Sequence, residues 1–271
     1  MLGFVAACRA ETSAVVVGIG EYGELGTLST SREDAKAVAA ALEESKAVKK
    51  EKIVLLTDDQ SEAAKQPTFS TTLLAINKLA KAAKAEDTIF VFLSGYVIMT
   101  KGCDAFTATE GEKGGSISID TIANVIKGSK AESKIIVFDT AHDGSKSRNL
   151  ALRLRAIARD NKGITLINSC DAGEMSTADS GGEMSVFAKN LAEGIKGAAD
   201  EDKNQTLTAA ELFSFVKKQL EAWGKENEKV QIPVVIAPAK SEAVVWTAAP
   251  QGMKTGMDAA TSREAPLRND E

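Results

Sequence analysis

The side chains in this chain that could do chemistry are few: one imidazole, three thiols, a glycine-rich loop and a loop dense in carboxylates. His142 is the only histidine, and Cys8, Cys103 and Cys170 are the only cysteines. A thiol becomes a strong nucleophile when an imidazole within hydrogen-bond reach takes its proton, so any Cys–His chemistry has to use His142. Cys170 follows an apolar run that would bring it to the same rim as His142, whereas Cys103 reads as an incidental thiol in a turn over 100–104. Gly18-Ile19-Gly20-Glu21-Tyr22-Gly23 has the GxGxxG spacing that lets backbone amides approach a pyrophosphate. From Asp200 to Glu211, the residues Asp200, Asp202, Asn204, the Thr206 carbonyl, Thr208 and Glu211 fall at the ligand positions of a calcium loop. Leu207 takes that loop's apolar slot, but Gln205 stands where such loops carry glycine.

Each of these has a plainer alternative. In a dinucleotide fingerprint the glycines open a helix whose N-terminus holds the phosphate. Here the next helix start, Thr30-Ser31-Arg32-Glu33, lies well downstream and has the form of a capping box. Glu21 and Glu24 put negative charge where the anion would sit, so a glycine-rich surface loop is the better reading. Thr208-Ala209-Ala210-Glu211 is itself a capping box, so a solvated helix–helix loop competes with weak Ca2+ binding. No cofactor is required.

The 33 Lys and Arg against 38 Asp and Glu leave a net charge of −5, which offers no attraction to nucleic acid or an anionic membrane. A single histidine and the absence of a CxxC pair exclude a zinc site built on such ligands. The unpaired cysteines suggest no disulfide framework, which fits a reducing compartment. The longest uncharged apolar run, 88–100, is too short to span a bilayer, so no transmembrane segment is expected. Residues 1–12 read as an N-terminal stub. Its apolar start lacks a basic region, which leaves location open and favours cytoplasm slightly over export.

Strand patterns at 13–19, 52–57, 88–93, 134–138, 164–168 and 232–236 alternate with helix patterns. One helix follows Thr30, and the others cover 70–84, 119–127, 148–159, 184–196 and 208–223. This order argues for an α/β fold, a parallel sheet with helices on both faces. Ligands then bind beyond the carboxyl ends of the strands, which directs attention to 18–23, 58–59, 94–97, 139–144 and 169–174. Residues 248–271 lack periodicity and read as a disordered C-terminal tail.

The blocks VVVGIGEYGELGTLSTSREDAKAVAAAL, KIVLLTDD, DTIFVFLSGY, SKIIVFDTAHDG, ITLINSCDAGEMS and GEMSVFAKNLAEGIKGAADEDKNQTLTAAELFSFV, ending at VQIPVV, stand in this order. Together they resemble caspase-like peptidases, closest to the bacterial relatives of metacaspases known as orthocaspases, over about residues 13–247. The resemblance implies a caspase-like three-layer sandwich with a mostly parallel six-stranded sheet. It also implies a Ser-Gly-His-Gly block after the third strand and an Asp-x-Cys-His-Ser-Gly block after the fourth. This chain departs at both: Ser94-Gly95-Tyr96-Val97 puts Tyr96 at the base position, and Asp139-Thr140-Ala141-His142-Asp143-Gly144 puts Ala141 at the nucleophile position. A methyl group cannot attack a carbonyl, and a phenol with a pKa near 10 is a poor base at neutral pH.

The resemblance further implies that Asp34, Ser94 and Asp139 belong to a pocket for an Arg or Lys side chain, to which paired carboxylates are suited. Against this, Asp34 is also a first-turn carboxylate favoured by a helix dipole, and Asp139 a strand-end group tied to local amides. The expectation is a pseudo-peptidase that acts as a binding, scaffold or regulatory module for a protein or peptide partner with basic side chains. The alternative is an active cysteine endopeptidase, using a relocated Cys170–His142 pair or having lost its native dyad to substitution.

Overall fold

In the computed structural model, described for residues 10–46, 48–100, 103–109, 115–142, 150–160, 163–171, 174, 176–236 and 243–247, strands and helices alternate along the chain. The first half carries β1 (Thr12–Gly18), α1 (Ser31–Glu44), β2 (Ile53–Thr57), α2 (Phe69–Ala82), β3 (Thr88–Thr100), β4 (Cys103–Thr107), β5 (Ser116–Ser118) and α3 (Ile119–Lys127). The second half carries β6 (Ser133–His142), α4 (Leu150–Asp160), β7 (Thr165–Asn168), α5 (Val186–Glu193), β8 (Thr206–Thr208), α6 (Ala209–Asn227), β9 (Val234–Ile236) and β10 (Val244–Thr247). The tail 248–271, the stub up to residue 9 and the 143–149 segment lie outside the described residues.

Six strands run in the order β2-β1-β3-β6-β7-β9, parallel except for β9, with β4 and β5 continuing from the far end of β3. Alternation along each central strand explains the layers, because successive side chains leave a strand on opposite faces. Ala14, Val16, Phe90, Phe92, Ile135 and Val137 pack with residues of α1, α5 and α6. Val15, Val17, Ile89, Val91, Ile136 and Phe138 pack with α2, α3 and α4. Both faces are covered, so the strands read as near-continuous apolar runs. Among the described residues no helix is long and apolar enough to cross a membrane.

Three local expectations change. The capping box at Thr30 does not form: Thr30 has helical dihedrals and makes no side-chain cap, and Glu33 pairs with Lys36 at 2.7 Å. The helix expected over 184–196 ends at Glu193 and passes into a π-helical turn, Gly194–Ala198, where Gly197 takes φ 120°. The largest change concerns the two central strands, which do not stop at Leu93 and Phe138. They continue to Thr100 and His142, so 94–97 and 139–142, expected beyond the strand ends, are paired strand. β1 leaves β3 at Ser94 and β7 leaves β6 at Phe138, so β3 and β6 go on past their neighbours on that side of the sheet. Pairing of β4 with Val97–Thr100 supports this projection.

Candidate functional site

The parallel register of β3 and β6 sets Ser94 opposite Asp139, Gly95 opposite Thr140, Tyr96 opposite Ala141 and Val97 opposite His142. Gly18, the last residue of β1, lies on the other side of Ser94. α1 starts directly over this row. A Cβ on Gly18 would collide with the Ser31 carbonyl and with Ala35, so glycine is what lets the helix sit so close. This approach carries Asp34, in the first turn of α1, down to the strand ends.

Asp34 and Asp139 are 1% and 3% exposed, and the groups bonded to them are neutral. Asp34 Oδ1 accepts from the Ser185 amide at 2.7 Å, and its Oδ2 accepts from Ser94 Oγ at 3.2 Å. Asp139 Oδ1 accepts from Ser176 Oγ at 2.6 Å, and its Oδ2 from Ser185 Oγ. Ser185 also caps α5, its Oγ accepting from the Ala188 amide at 2.8 Å. One residue therefore holds both carboxylates. Burial, then the negative charge of Asp139, pushes Asp34 up to about 8; burial raises Asp139 as well. A cavity of about 180 Å³ opens onto the pair, lined also by hydroxyl residues such as Thr27, Ser29 and Thr30.

The sequence singled out Asp34, Ser94 and Asp139, and the structure brings these three together. It missed Ser176 and Ser185. A serine before the apolar run from Val186 signals a helix cap, but the bond from Ser185 to Asp34 spans 151 residues and leaves no local trace. Asp34 makes these long-range bonds although it lies in a first helical turn.

Tyr96 sits against another missed residue. Its amide donates to Tyr22 Oη at 2.9 Å, and the two rings meet edge-to-face with centroids 5.0 Å apart. Tyr22 is 2% exposed, and burial pushes its phenol pKa well up. A Cβ on Gly95 would collide with Tyr22 Oη, so this contact also depends on glycine. The side chains of Ala141 and His142 lie outside the described residues. Cys170 is buried; its thiol donates to the Glu174 carbonyl at 3.5 Å, and burial, then Asp139, pushes its pKa up to about 12. Cys103 opens β4 and is not in a turn.

The two remaining loops are internally bonded. Asp58 accepts from the amides of Gly20 and Glu21 at 3.0 and 2.8 Å, and from Arg32 Nε and Nη2 at 2.8 and 2.7 Å. A carboxylate of the chain itself thus occupies amides that a phosphate would use in the GxGxxG reading. In the acidic loop, Asp200, Asp202 and Glu211 bring oxygens within 4.8 Å of one another. Asp200 Oδ2 accepts from the Gln205 amide at 3.1 Å, while its Oδ1 is buried without a partner. Asn204 Oδ1 accepts from the Thr206 amide, and Gln205 takes φ 66°. Thr208 and Glu211 form their capping box, and β8 pairs with β10 just before it. These donors are hard oxygens of the kind Ca2+ prefers, in the order the sequence suggested.

Residues 11–243 match the family model described as the caspase domain. Metacaspase-1 of Botryotinia fuckeliana is 34% identical over 97 residues, which are 36% of this chain and 23% of that protein. Metacaspase-1B of Neurospora crassa is likewise 34% identical over 97 residues, with the same shares of each. The match thus takes in less than a quarter of the length of either fungal protein. A crystal structure of a Geobacter sulfurreducens protein superposes with a TM-score of 0.61 at 14% identity, covering 88% of this chain and 97% of that one.

Proposed function

The chain belongs to the caspase-domain family, and we propose that it acts there as a non-hydrolysing binding module for a protein or peptide with basic side chains. One observation carries this reading. The family's base and nucleophile positions pair across β3 and β6 as Tyr96 and Ala141, while the carboxylates below them are buried, open to a cavity and bonded, among the described residues, only to neutral groups. Acid–base and nucleophilic catalysis need side chains that neither position supplies. A guanidinium or ammonium group would give the carboxylates the counter-charge they lack.

The relocated-dyad alternative, a cysteine endopeptidase acting after Arg or Lys, finds little support in Cys170. A thiol pushed up to about 12 is almost wholly protonated at neutral pH, and its hydrogen already points to the Glu174 carbonyl. The same proposal includes weak Ca2+ binding at Asp200, Asp202, Asn204, Thr206 and Glu211, as a structural aid rather than a requirement. Fluorogenic peptides ending in Arg or Lys provide the test. The expected result is no turnover above buffer, together with saturable binding of the uncleaved peptide. Turnover abolished by thiol alkylation overturns it.

A further inference from the structure

We propose that the Asp34–Asp139 pair carries a single proton until a cationic group docks and exchanges that proton for it, so that occupancy rises with pH. This rests on reading the pocket as an Arg/Lys site.

The geometry is that of two buried carboxylates which, among the described residues, bond only to uncharged groups. The Ser94, Ser176 and Ser185 hydroxyls and the Ser185 amide donate to the pair. None carries charge. Ser185 Oγ has one hydrogen, committed to Asp139, so it cannot also turn to Asp34. Among the described residues, Arg32 pairs with Asp58, Lys36 with Glu33 and Asp59, Lys189 with Asp179, and Arg155 with Asp171; Lys146 and Arg148 lie outside the described residues. Glu174 accepts from the amides of Asp171 and Ile232, and the Cys170 thiol is kept neutral by burial. Tyr96 lies two residues beyond Ser94, with its ring against Tyr22. The side chain of His142, three residues past Asp139, lies outside the described residues.

Two like charges in such a site do not both ionise near neutral pH, and the pair titrates as a unit. The raised pKa values of both groups agree with this. When a guanidinium or ammonium docks, its charge favours the doubly ionised pair and the proton leaves to solvent. One positive charge goes in and one comes out, so the charge of the pocket is unchanged.

The experiment uses the full chain and N-acetyl-arginine amide as probe. Calorimetry at about pH 6.5 in two buffers of different ionisation enthalpy is expected to show release of close to one proton per probe bound. Affinity is expected to rise about tenfold per pH unit below the pair's midpoint and to level off above it. In the empty chain, carbon-13 carboxyl resonances of labelled aspartate should show one buried protonated carboxyl at that pH. Asp34→Asn, or Asp139→Asn should the first not fold, is expected to abolish the slope. Binding with buffer-independent heat, or an empty pocket with both carboxyls ionised, overturns the exchange and leaves the Arg/Lys reading standing. A shared proton with no binding of the probe from pH 6 to 9 overturns the exchange and that reading together.

Discussion

Tyr96 and Ala141 are register partners on adjacent parallel strands, two residues beyond the Ser94–Asp139 pair. Two chemical positions thus lie one above the other on a projecting part of the sheet, where side chains two residues apart share a face. The backbone of this ribbon does not depend on the Tyr96 side chain. It is the Tyr96 amide, not the ring, that bonds to Tyr22 Oη.

A double substitution should therefore be tolerated. Tyr96→His with Ala141→Cys restores an imidazole and a thiol at paired positions and gives up only the edge-to-face contact, worth about 1 kcal/mol. The expected outcome is cleavage after Arg or Lys that iodoacetamide abolishes, with the two single variants inactive. An inactive double variant that still binds the basic peptide would place the defect in the surrounding geometry and not in the two missing groups.

Asp34 makes the chain sensitive to pH in an unusual direction. Its carboxyl is held up to about 8 by burial and by Asp139, above its ordinary value near 3.9 in an unfolded chain. The folded state then binds the proton more tightly than the unfolded one. Stability from this group is fully present below about pH 4 and is lost as pH rises through 8. Asp34→Asn keeps an acceptor for the Ser185 amide and removes the charge. Urea unfolding is expected to show the variant more stable than the parent by roughly 1–3 kcal/mol at pH 8, with little difference at pH 4. A parent whose stability climbs from pH 5 to 8 contradicts this account.

The GxGxxG loop yields a prediction from what already fills it. Asp58 satisfies two of its amides and a bidentate Arg32, and its carboxyl pKa is lowered although burial opposes the Arg32 and amide bonds. Adenine and guanine nucleotides are expected to leave the melting temperature unchanged. Asp58→Ala removes both amide bonds and leaves the partly exposed Arg32 only its contact with Glu21, and should cost about 1–3 kcal/mol by urea denaturation. A thermal shift with ATP in the parent chain would reinstate a nucleotide role for Gly18 to Gly23.

Alternation and helix periodicity made the layered fold readable from the sequence, because strands such as Ala14–Val17 are buried on both faces by nearby helices. The outer halves of β3 and β6 were not readable. Ser94-Gly95 and Asp139-Thr140 have turn-forming composition, and what keeps them extended is pairing with each other and with β4, contacts distant in sequence. The pocket follows the same rule. Its carboxylates could be named from family resemblance, while Ser176 and Ser185, which position them, act across 37 and 151 residues. Tyr22 was hidden for a related reason: it sits in a glycine-rich loop, and its partner amide is 74 residues away.

The loop from Asp200 to Glu211 allows a test that separates a calcium site from a plain helix cap. Gln205 is held at φ 66°, a left-handed conformation that costs an L-residue about 1 kcal/mol or more. Gln205→Gly removes this strain whichever role the loop has, so a stability gain of up to about 1 kcal/mol is expected without metal. The two roles differ once calcium is added. A site using Asp200 Oδ1, buried and without a partner, should bind Ca2+ weakly in the parent and about as well in Gln205→Gly, because the left-handed conformation is already present without the ion. Asp200→Asn should abolish that response, and Mg2+, which demands stricter octahedral geometry, should not reproduce it. Calorimetric titration with Ca2+ on the three chains reads this directly. Glu211→Gln retains an acceptor for the Thr208 amide and hydroxyl and preserves the cap, so weaker calcium binding in it would report the lost carboxylate and not a frayed helix end. A loop that serves only as a cap would show the stability gain in Gln205→Gly and no heat of calcium binding in any of the three.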